Sequence, residues 1–479
     1  MNQSTLHKEC YMLLAGRDAT ADGNMLCGHN NDLQGHNAAL YELLPHTVHT
    51  NKTIELPSGL ILPQPEETKA CLILKTWRGY VEGDAVAINE HQVAIAGGVD
   101  LGNDRNDAVR SADPLVTEGV SGAVRYLALQ QSATARECVE RIGHYYSKYG
   151  ISYTCGVGVV DTEEAWYIEA GGGSSWVAVK VPDDCYMAQA NGYRIGEIDP
   201  DDSANCICSP GLFDFCASKG LWERGKTPFH FARIFGGRMR QNPKLTHFNT
   251  RRVWGALRLL NPSTAFDPDA AEYPLFLKPE RKLTVPAIME VLRDHYGATP
   301  YDAFPEEGGY GKDRPICVPS CVHSDVVELR KDLPAEIGAV LWGSLASPAA
   351  SPYLPFYFGI KRLPEAYLKG DTRFSADSAF WRYRALSSLS LVDFRQFGPL
   401  LRSRWQGFEE EVFTARAALE DAAKACFASA PSMSKDLLTS FSGQLADAAL
   451  RQCIQLEAEL HTRIAENIHL EFSEPELGW

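Results

Sequence analysis

No stretch of this 479-residue chain comes near the roughly 18 apolar residues that a membrane-spanning helix needs. Residues 1–9, Met-Asn-Gln-Ser-Thr-Leu-His-Lys-Glu, lack the apolar core of a secretion signal. Positive charge is also scarce: 46 Lys and Arg against 61 Asp and Glu leave a formal charge of −15. A surface of that sign repels polyanions, which argues against nucleic acid or anionic membrane as the main partner. Internal repeats, low-complexity tracts and blocks of like charge are missing too. Cysteine is plentiful, but its thirteen copies are an odd number without framework spacing, which suits a reducing compartment better than a disulfide scaffold. Cys317, Cys321 and His323 are the nearest approach to a metal motif. They have no matching second half, and Cys206 and Cys208 lie far off in sequence, so no metal is expected. The expectation is a cytoplasmic protein that acts on a small molecule or peptide. Its 45% hydrophobic content is enough for a large core.

What is present reads first as strands. Residues 10–17, 24–30, 46–56 and 70–80 are short apolar or alternating runs bounded by turn formers, and 85–96 reads as a hairpin turning at 89–92. Helices are expected at 120–131 and 133–149, the second with Val139, Ile142 and Tyr146 at helical spacing and Gly150 placed to stop it. Strands return at 157–160, 165–169, 176–181 and 185–190. This order indicates an α+β layered fold rather than a βαβ repeat. A helix is expected at 284–295, a loop at 308–319 and a strand at 338–342. Beyond 375 come two amphipathic helices, one begun by Phe408, Val412, Phe413 and Leu419, the other stepping from Leu438 to Ile464. Ala430-Pro431-Ser432 separates them, Ser434 is the expected N-cap, and packing is their expected role.

Cys10 stands at the head of the first strand. Were the bond after Glu9 cut, Cys10 would carry a free α-amine, of ordinary pKa about 7.7–8.0, beside a thiol of ordinary pKa about 8.5. One residue would then supply both nucleophile and base. The competing reading is a buried core cysteine that opens a strand.

Several stretches in one order resemble the dipeptidase A and secernin family of N-terminal-nucleophile (Ntn) hydrolases. They are Cys10 with Ala15-Gly16-Arg17 and Asp22-Gly23; Asn31-Asp32; Ile88-Asn89-Glu90; Ala165-Trp166-Tyr167-Ile168-Glu169; Trp176-Val177-Ala178 with Val181-Pro182-Asp183-Asp184; Ala190-Asn191; and Arg251-Arg252-Val253-Trp254. Residues 353–359 and Phe380-Trp381 extend the likeness. The resemblance implies a propeptide (1–9), a four-layer αββα sandwich (10–375) on which the helical region 376–479 packs, and amide-bond hydrolysis without metal or organic cofactor.

The resemblance also implies roles. Cys10 attacks as thiolate while its own α-amine shuttles the proton, and Asn191 and Asn89 donate to the oxyanion. Asp32 accepts from the α-amine, and Arg252 or Arg251 is the cation that favours the thiolate. Each has a plainer alternative: a hairpin turn for Asn89, a turn before Gly192 for Asn191, an Asx-turn for Asp32, solvated charges for the arginines. With 251–254 extended, only one arginine points inward, and Arg252 is chosen. Two positions depart from the family pattern. His29 stands where relatives usually carry arginine, and an imidazole is mostly neutral at pH 7; Tyr11 replaces a small hydroxyl residue.

A dipeptide presents an amine and a carboxylate, so its pocket needs a carboxylate and a cation. Glu169, Asp100 and Arg17 are candidates, with His29 counted among the substrate-binding side chains. A dipeptidase is the leading expectation. An Ntn acylase on a non-peptide acyl amide and a secernin-like regulatory protein without peptidase work are the alternatives, and a homo-oligomer is compatible with all three.

Overall fold

A continuous apolar run of four to eight residues marks a strand covered on both faces. The first such run, Tyr-Met-Leu-Leu-Ala, forms β1 (Tyr11–Ala15), buried throughout. The structure of the protein, a computed structural model, describes residues 10–56, 59–77, 85–120, 122–242, 245, 247–305 and 309–466. The expected propeptide, residues 78–80 of the expected strand 70–80, residue 121 of the expected helix and residue 308 of the expected loop lie outside the described residues.

Strands β2 (Met25–Asp32), β3 (Ala39–Leu44), β4 (Cys71–Thr76), β5 (Val86–Asn89) and β6 (Ala94–Asp100) follow. The expected strand at 46–56 is instead two pieces, Thr47–Val48 and Thr53–Glu55, each in a small two-stranded ribbon, because its His, Asn and Lys residues leave little apolar surface to bury. Helices α1 (Ala123–Leu129) and α2 (Ala135–Tyr149) come next. The Thr134 side chain caps α2 by accepting from Glu137 N, and Gly150 ends it at φ 77°. Then come β7 (Cys155–Val160), β8 (Ala165–Gly172), β9 (Ser175–Val181), β10 (Tyr186–Gln189), β11 (Cys206–Cys208), α3 (Thr250–Leu260) and α4 (Val285–Leu292), the last capped by Thr284. The chain continues through β12 (Cys321–Leu329), β13 (Ala339–Leu345), β14 (Leu354–Tyr357), α5 (Ala379–Ser390), α6 (Phe394–Phe427) and α7 (Pro431–Glu466).

The strands form two antiparallel sheets, ordered β10-β1-β2-β12-β13-β14 and β11-β9-β8-β7-β6-β5-β4-β3. Alternation along the larger sheet sorts its side chains into two cores. Ile73, Ala87, Ile95 and Val157 pack with Val124, Val139 and Ile142 of α1 and α2. Leu72, Leu74, Ile88 and Ala96 belong to the core that includes Met12 and Leu14 of β1. The sheets meet so closely at β7 that a Cβ on Gly158 would sit 2.8 Å from Leu14 and Met12. On the other face of the smaller sheet, α4 covers β2, α5 packs on β13, and α7 packs on β14 and on both α5 and α6.

Three expectations are corrected. β12 was not anticipated, although all nine of its residues are buried, because His323, Ser324, Asp325 and Glu328 interrupt its apolar pattern. The 251–254 segment is helical, not extended. Helix α7 starts at Pro431, where a missing N–H costs nothing, which leaves Ser434 buried inside it rather than at its cap. Among the described residues no helix is long and apolar enough to cross a membrane.

Candidate active site

Strand register assembles the site. Tyr11 pairs with Asn30 and Met12 with His29 on β2, while Met12 pairs with Gln189 on β10. Continuing the first register by one residue and the second by two sets Cys10 between Asn31 and Asn191. On β12, His323 pairs with Asn31 and Asp325 with His29. Since alternate residues of a strand share a face, Cys10, His29, Asn31, His323 and Asp325 all project between the two sheets.

The contacts there form a connected path. Cys10 Sγ lies 3.6 Å from Asn31 Oδ1, and Asn31 Nδ2 lies 2.9 Å from His323 Nε2. His323 Nδ1 is 3.1 Å from Asp325 Oδ1, and His29 Nδ1 is 3.6 Å from the same oxygen. His29 Nε2 sits 3.2 Å from Gly98 O. Gly97, at φ +79°, admits the ring: a Cβ there would be 2.7 Å from it. Cys10 is 7% exposed and the other four side chains are fully buried.

These contacts reverse the expectation of a neutral His29. Burial alone would lower its pKa, but Asp325 and then Cys10 outweigh burial and push it up to about 10. Burial raises Asp325, whereas the two imidazoles hold it below the usual carboxylate range. The anion that charges His29 lies on the unanticipated strand. His29, His323 and Asp325 each bring a ligand-type atom within 4.8 Å of one another. Both nitrogens of His323 are hydrogen-bonded, to Asn31 and to Asp325, which joins the group by shared protons. Cys317 bonds Ser347 Oγ and Cys321 bonds the His323 carbonyl, so the sequence trio does not converge on a metal.

A second path reaches Cys10 from α3. Arg252 Nη1 donates to Cys10 O at 3.2 Å and Nη2 to Asn249 Oδ1 at 2.8 Å, while Asn249 Nδ2 donates to Asn191 O at 2.8 Å. Asn191 Nδ2 donates to Asp100 O at 3.0 Å, and its buried Oδ1 has no partner among the described residues. The Asp100 carboxylate accepts from Gly102 N at 2.6 Å and is bonded to Tyr153, whose environment includes Cys10. Asp32 lies on the opposite face of β2 from Asn31. Burial pushes its pKa up to about 6 against the pull of Arg314, Arg252 and His29; Arg314 Nη2 reaches Oδ2 at 3.0 Å, and Oδ1 has no partner among the described residues.

The structure leaves other candidates apart from this group. Asn89 turns the β5–β6 hairpin. Its Nδ2 donates to Leu129 O and Ser132 O, both at 2.8 Å, and its Oδ1 accepts from His91 N and Val93 N, so its amide is fully occupied in holding the turn to α1. Arg17 lies past the far end of β1, 3.1 Å from Glu163 and 3.5 Å from Asp183. Burial pushes Glu169 up to about 8, although it accepts from Arg194 N and Ile195 N and so anchors the loop after Asn191. Arg251 pairs with Asp269 and Asp313 and stacks on Tyr301. Sequence reasoning missed Asp325 and Asn249 and met His323 only in the Cys317, Cys321 and His323 trio. The i, i+2 spacing of His323 and Asp325 puts them on one face, but only once the strand is recognised.

A cavity of about 250 Å³ opens beside Asn191, bounded by Ala190, Gly192 and Asn249. Its wall carries both signs of charge: Asp104, Arg194, Arg240 and Glu272. Arg240 and Glu272 pair at 2.6 Å.

The sequence matches peptidase family C69 over residues 9–407. It is 29% identical over 392 residues to "Probable dipeptidase" of Latilactobacillus sakei, covering 79% of this chain and 80% of that protein. It is 30% identical over 371 residues to "Probable dipeptidase" of Salmonella dublin (76% and 83%), and 26% identical over 417 residues to "Probable dipeptidase B" of Streptococcus pyogenes serotype M1 (84% and 82%). The matched stretch opens one residue before Cys10 and contains every residue of the two paths that meet there. The chain belongs to peptidase family C69.

Proposed function

We propose that the protein is a dipeptidase whose nucleophile is Cys10, freed as an N-terminal residue when residues 1–9 are removed, on an αββα Ntn-hydrolase sandwich. The observation that carries this reading is the position of Cys10 at the head of β1, its thiol against Asn31 and its carbonyl held by Arg252. Hydrolysis of the Glu9–Cys10 amide yields a free α-amine. That amine takes the thiol proton, the thiolate adds to the dipeptide carbonyl, and the carbonyl electrons pass to oxygen. Asn191 Nδ2, which spends one hydrogen on Asp100 O, has a second for that oxyanion. The α-ammonium protonates the leaving amine as the C–N bond breaks. Water, deprotonated by the same amine, then cleaves the thioester and restores the thiol. Arg252 fixes the new terminus through the Cys10 carbonyl, and Asp32 orients the ammonium.

The mixed charges of the cavity beside Asn191 favour a dipeptide over an apolar acyl amide. A zwitterion can exchange the Arg240–Glu272 pair for bonds from its own amine and carboxylate, whereas an acyl chain cannot. The test is intact mass of the purified protein, followed by dipeptide and acyl-amide panels on wild type and Cys10→Ala. The expected results are a mass lacking residues 1–9, hydrolysis of dipeptides, and loss of activity in the variant by about 10³-fold or more. A protein that keeps Met1 and an alanine variant that cleaves dipeptides as well as wild type overturn the reading. Cleavage of acyl amides alone selects the acylase.

A further inference from the structure

A carboxylate deep between two sheets is costly unless cations or hydrogen bonds repay its lost hydration. Asp325 is fully buried, and what it faces is two imidazoles that meet at one of its oxygens, His323 Nδ1 at 3.1 Å and His29 Nδ1 at 3.6 Å. The rings differ in their other contacts. Asn31 Nδ2 donates to His323 Nε2, which leaves the His323 proton on Nδ1, pointing at Asp325. His29 Nε2 faces a backbone acceptor, Gly98 O, and can bond it only by donating. A ring that donates from Nε2 and holds Nδ1 3.6 Å from a carboxylate oxygen, beyond hydrogen-bond distance, is placed to form an ion pair when Nδ1 carries a proton. His323 therefore sits in the cluster as a neutral relay, and His29 as its cation.

We propose that Asp325 keeps His29 as an imidazolium beside Cys10, and that this buried pair balances the charge of the thiolate that forms when the α-amine takes the thiol proton. Asp325 and His323 are positioning residues that act through His29 and Asn31. The proposal rests on the nucleophile reading above and adds the charge that this reading left to Arg252. Arg252 is bonded to the Cys10 carbonyl, so its cation is directed at the backbone, whereas His29 shares the interior face with the thiol. One anion and one cation leave the cluster neutral before the thiol proton departs. The imidazolium then balances the thiolate that forms.

The charged and titratable groups around His29 fit this balance. Cys10 faces it from β1, and His323 and Asp325 face it from β12. Asp32 neighbours it on β2, its carboxyl pulled down in part by His29. Cys27 on β2 and Tyr41 on β3 surround Asp325, and the buried anion adds to the burial that raises both. Across β6, Arg125 lies against Gly98, with its own pKa raised by the partners that offset its burial. The pKa of His29, pushed up to about 10, keeps the imidazolium intact through the working range. Without Asp325, burial dominates and His29 falls below its ordinary value.

Two measurements test this. The first needs no variant: the ring carbon shifts of isotopically labelled His29, followed by NMR from pH 5 to 9 in the processed protein. No titration is expected, and a midpoint between pH 5 and 7.5 overturns the proposal. The second is the pH profile of kcat/KM for Asp325→Asn. The ratio of variant to wild type is expected to fall by about ten-fold or more between pH 5.5 and 8, as the variant's His29 loses its proton. A ratio constant with pH means that Asp325 only supports the fold, and it overturns the proposal. His323→Gln, which keeps an acceptor for Asn31 and leaves Asp325 to His29, is expected to lower activity by a factor that does not change with pH. A pH-dependent factor there overturns the assignment of the cation to His29. A protein that stays inactive however it is processed sinks the nucleophile reading while leaving the His29 titration measurable. A His29 that titrates near neutrality in an active enzyme sinks this proposal alone.

Discussion

Alternate residues of one strand feed two different sets of buried charges. From β12, His323 and Asp325 project between the sheets toward Cys10, while Ser324 and Glu328 project to the helical side. There Glu328 accepts from Arg416 at 2.7 Å and from Trp342 Nε1 at 3.2 Å. Glu420 accepts from Arg330 at 2.6 and 3.0 Å, from Arg416 at 2.6 Å and from Tyr357 at 2.8 Å. Glu409 accepts from Arg293, Arg402 and Tyr353 N. In this second set every carboxylate oxygen is bonded. Around Cys10, in contrast, Asp325 Oδ2, Asp32 Oδ1 and Asn191 Oδ1 have no partner among the described residues. A saturated network has nothing left for a ligand and ties the helices to the sheet. An unsaturated one keeps hydrogen-bonding capacity where a substrate and a moving proton need it.

The comparison breaks if a residue of the saturated set proves to act in the chemistry. Glu420→Gln is expected to cost about 1.5–3 kcal/mol of stability, because Arg330 loses its carboxylate while Arg416 keeps Glu328, and kcat/KM of the folded fraction stays at the wild-type level. The pH dependence checks the cause. Its arginines outweigh burial and hold Glu420 down at about 2. Its contribution is therefore complete above the ordinary glutamate pKa of about 4.3. It is lost as pH falls from there toward 2, since the unfolded chain binds the proton first. Denaturant titrations from pH 7 to 3 should show wild type losing stability more steeply than the variant below about 4.5. Parallel slopes would detach Glu420 from the arginines.

A smaller effect separates two asparagines that are equivalent in sequence. Asn191→Ala is expected to lower kcat by about 10²–10³-fold, as for one oxyanion donor, and to cost about 1 kcal/mol of stability for its one bond to Asp100 O. Asn89→Ala is expected to leave kcat alone and cost about 1–3 kcal/mol of stability, as buried groups at the hairpin and α1 lose their partners. Steady-state kinetics and thermal unfolding of both variants read this out, and an exchange of phenotypes would invert the assignment of turn and site.

That pair also marks how far the sequence can be read. Cys10, Asn31-Asp32 and Arg252 were legible because they sit in compact runs whose order is informative, and Asn191 because it ends an apolar strand. Asn89 was not, since an Asn at a hairpin turn looks the same whether its amide faces solvent, substrate or a neighbouring helix. The layered strands and the C-terminal helices were legible from period 2 and from steps of three and four. β12 was hidden for the reason it matters: a central strand that carries His323, Asp325 and Glu328 to two sites has given up the apolar pattern by which buried strands are recognised. His29 was read as neutral because its charge depends on that strand.

Arg17 belongs to the opening motif that begins at Cys10 and pairs with acids, but its side chain is 37% exposed and its partners Glu163 and Asp183 are also partly exposed. It lies seven residues along from Cys10, roughly 20 Å at the rise of a strand, too far for a dipeptide held at the thiol to reach. Water screens its pairs, and exposed ion pairs contribute only about 0–1 kcal/mol. Arg17→Ala is therefore expected to shift stability by less than about 1 kcal/mol and to leave both kcat and KM for dipeptides unchanged. A rise in KM confined to substrates with a free carboxylate would instead place Arg17 against the substrate. It would also show that partner saturation, the measure that separates the two faces of β12, does not extend to exposed charge.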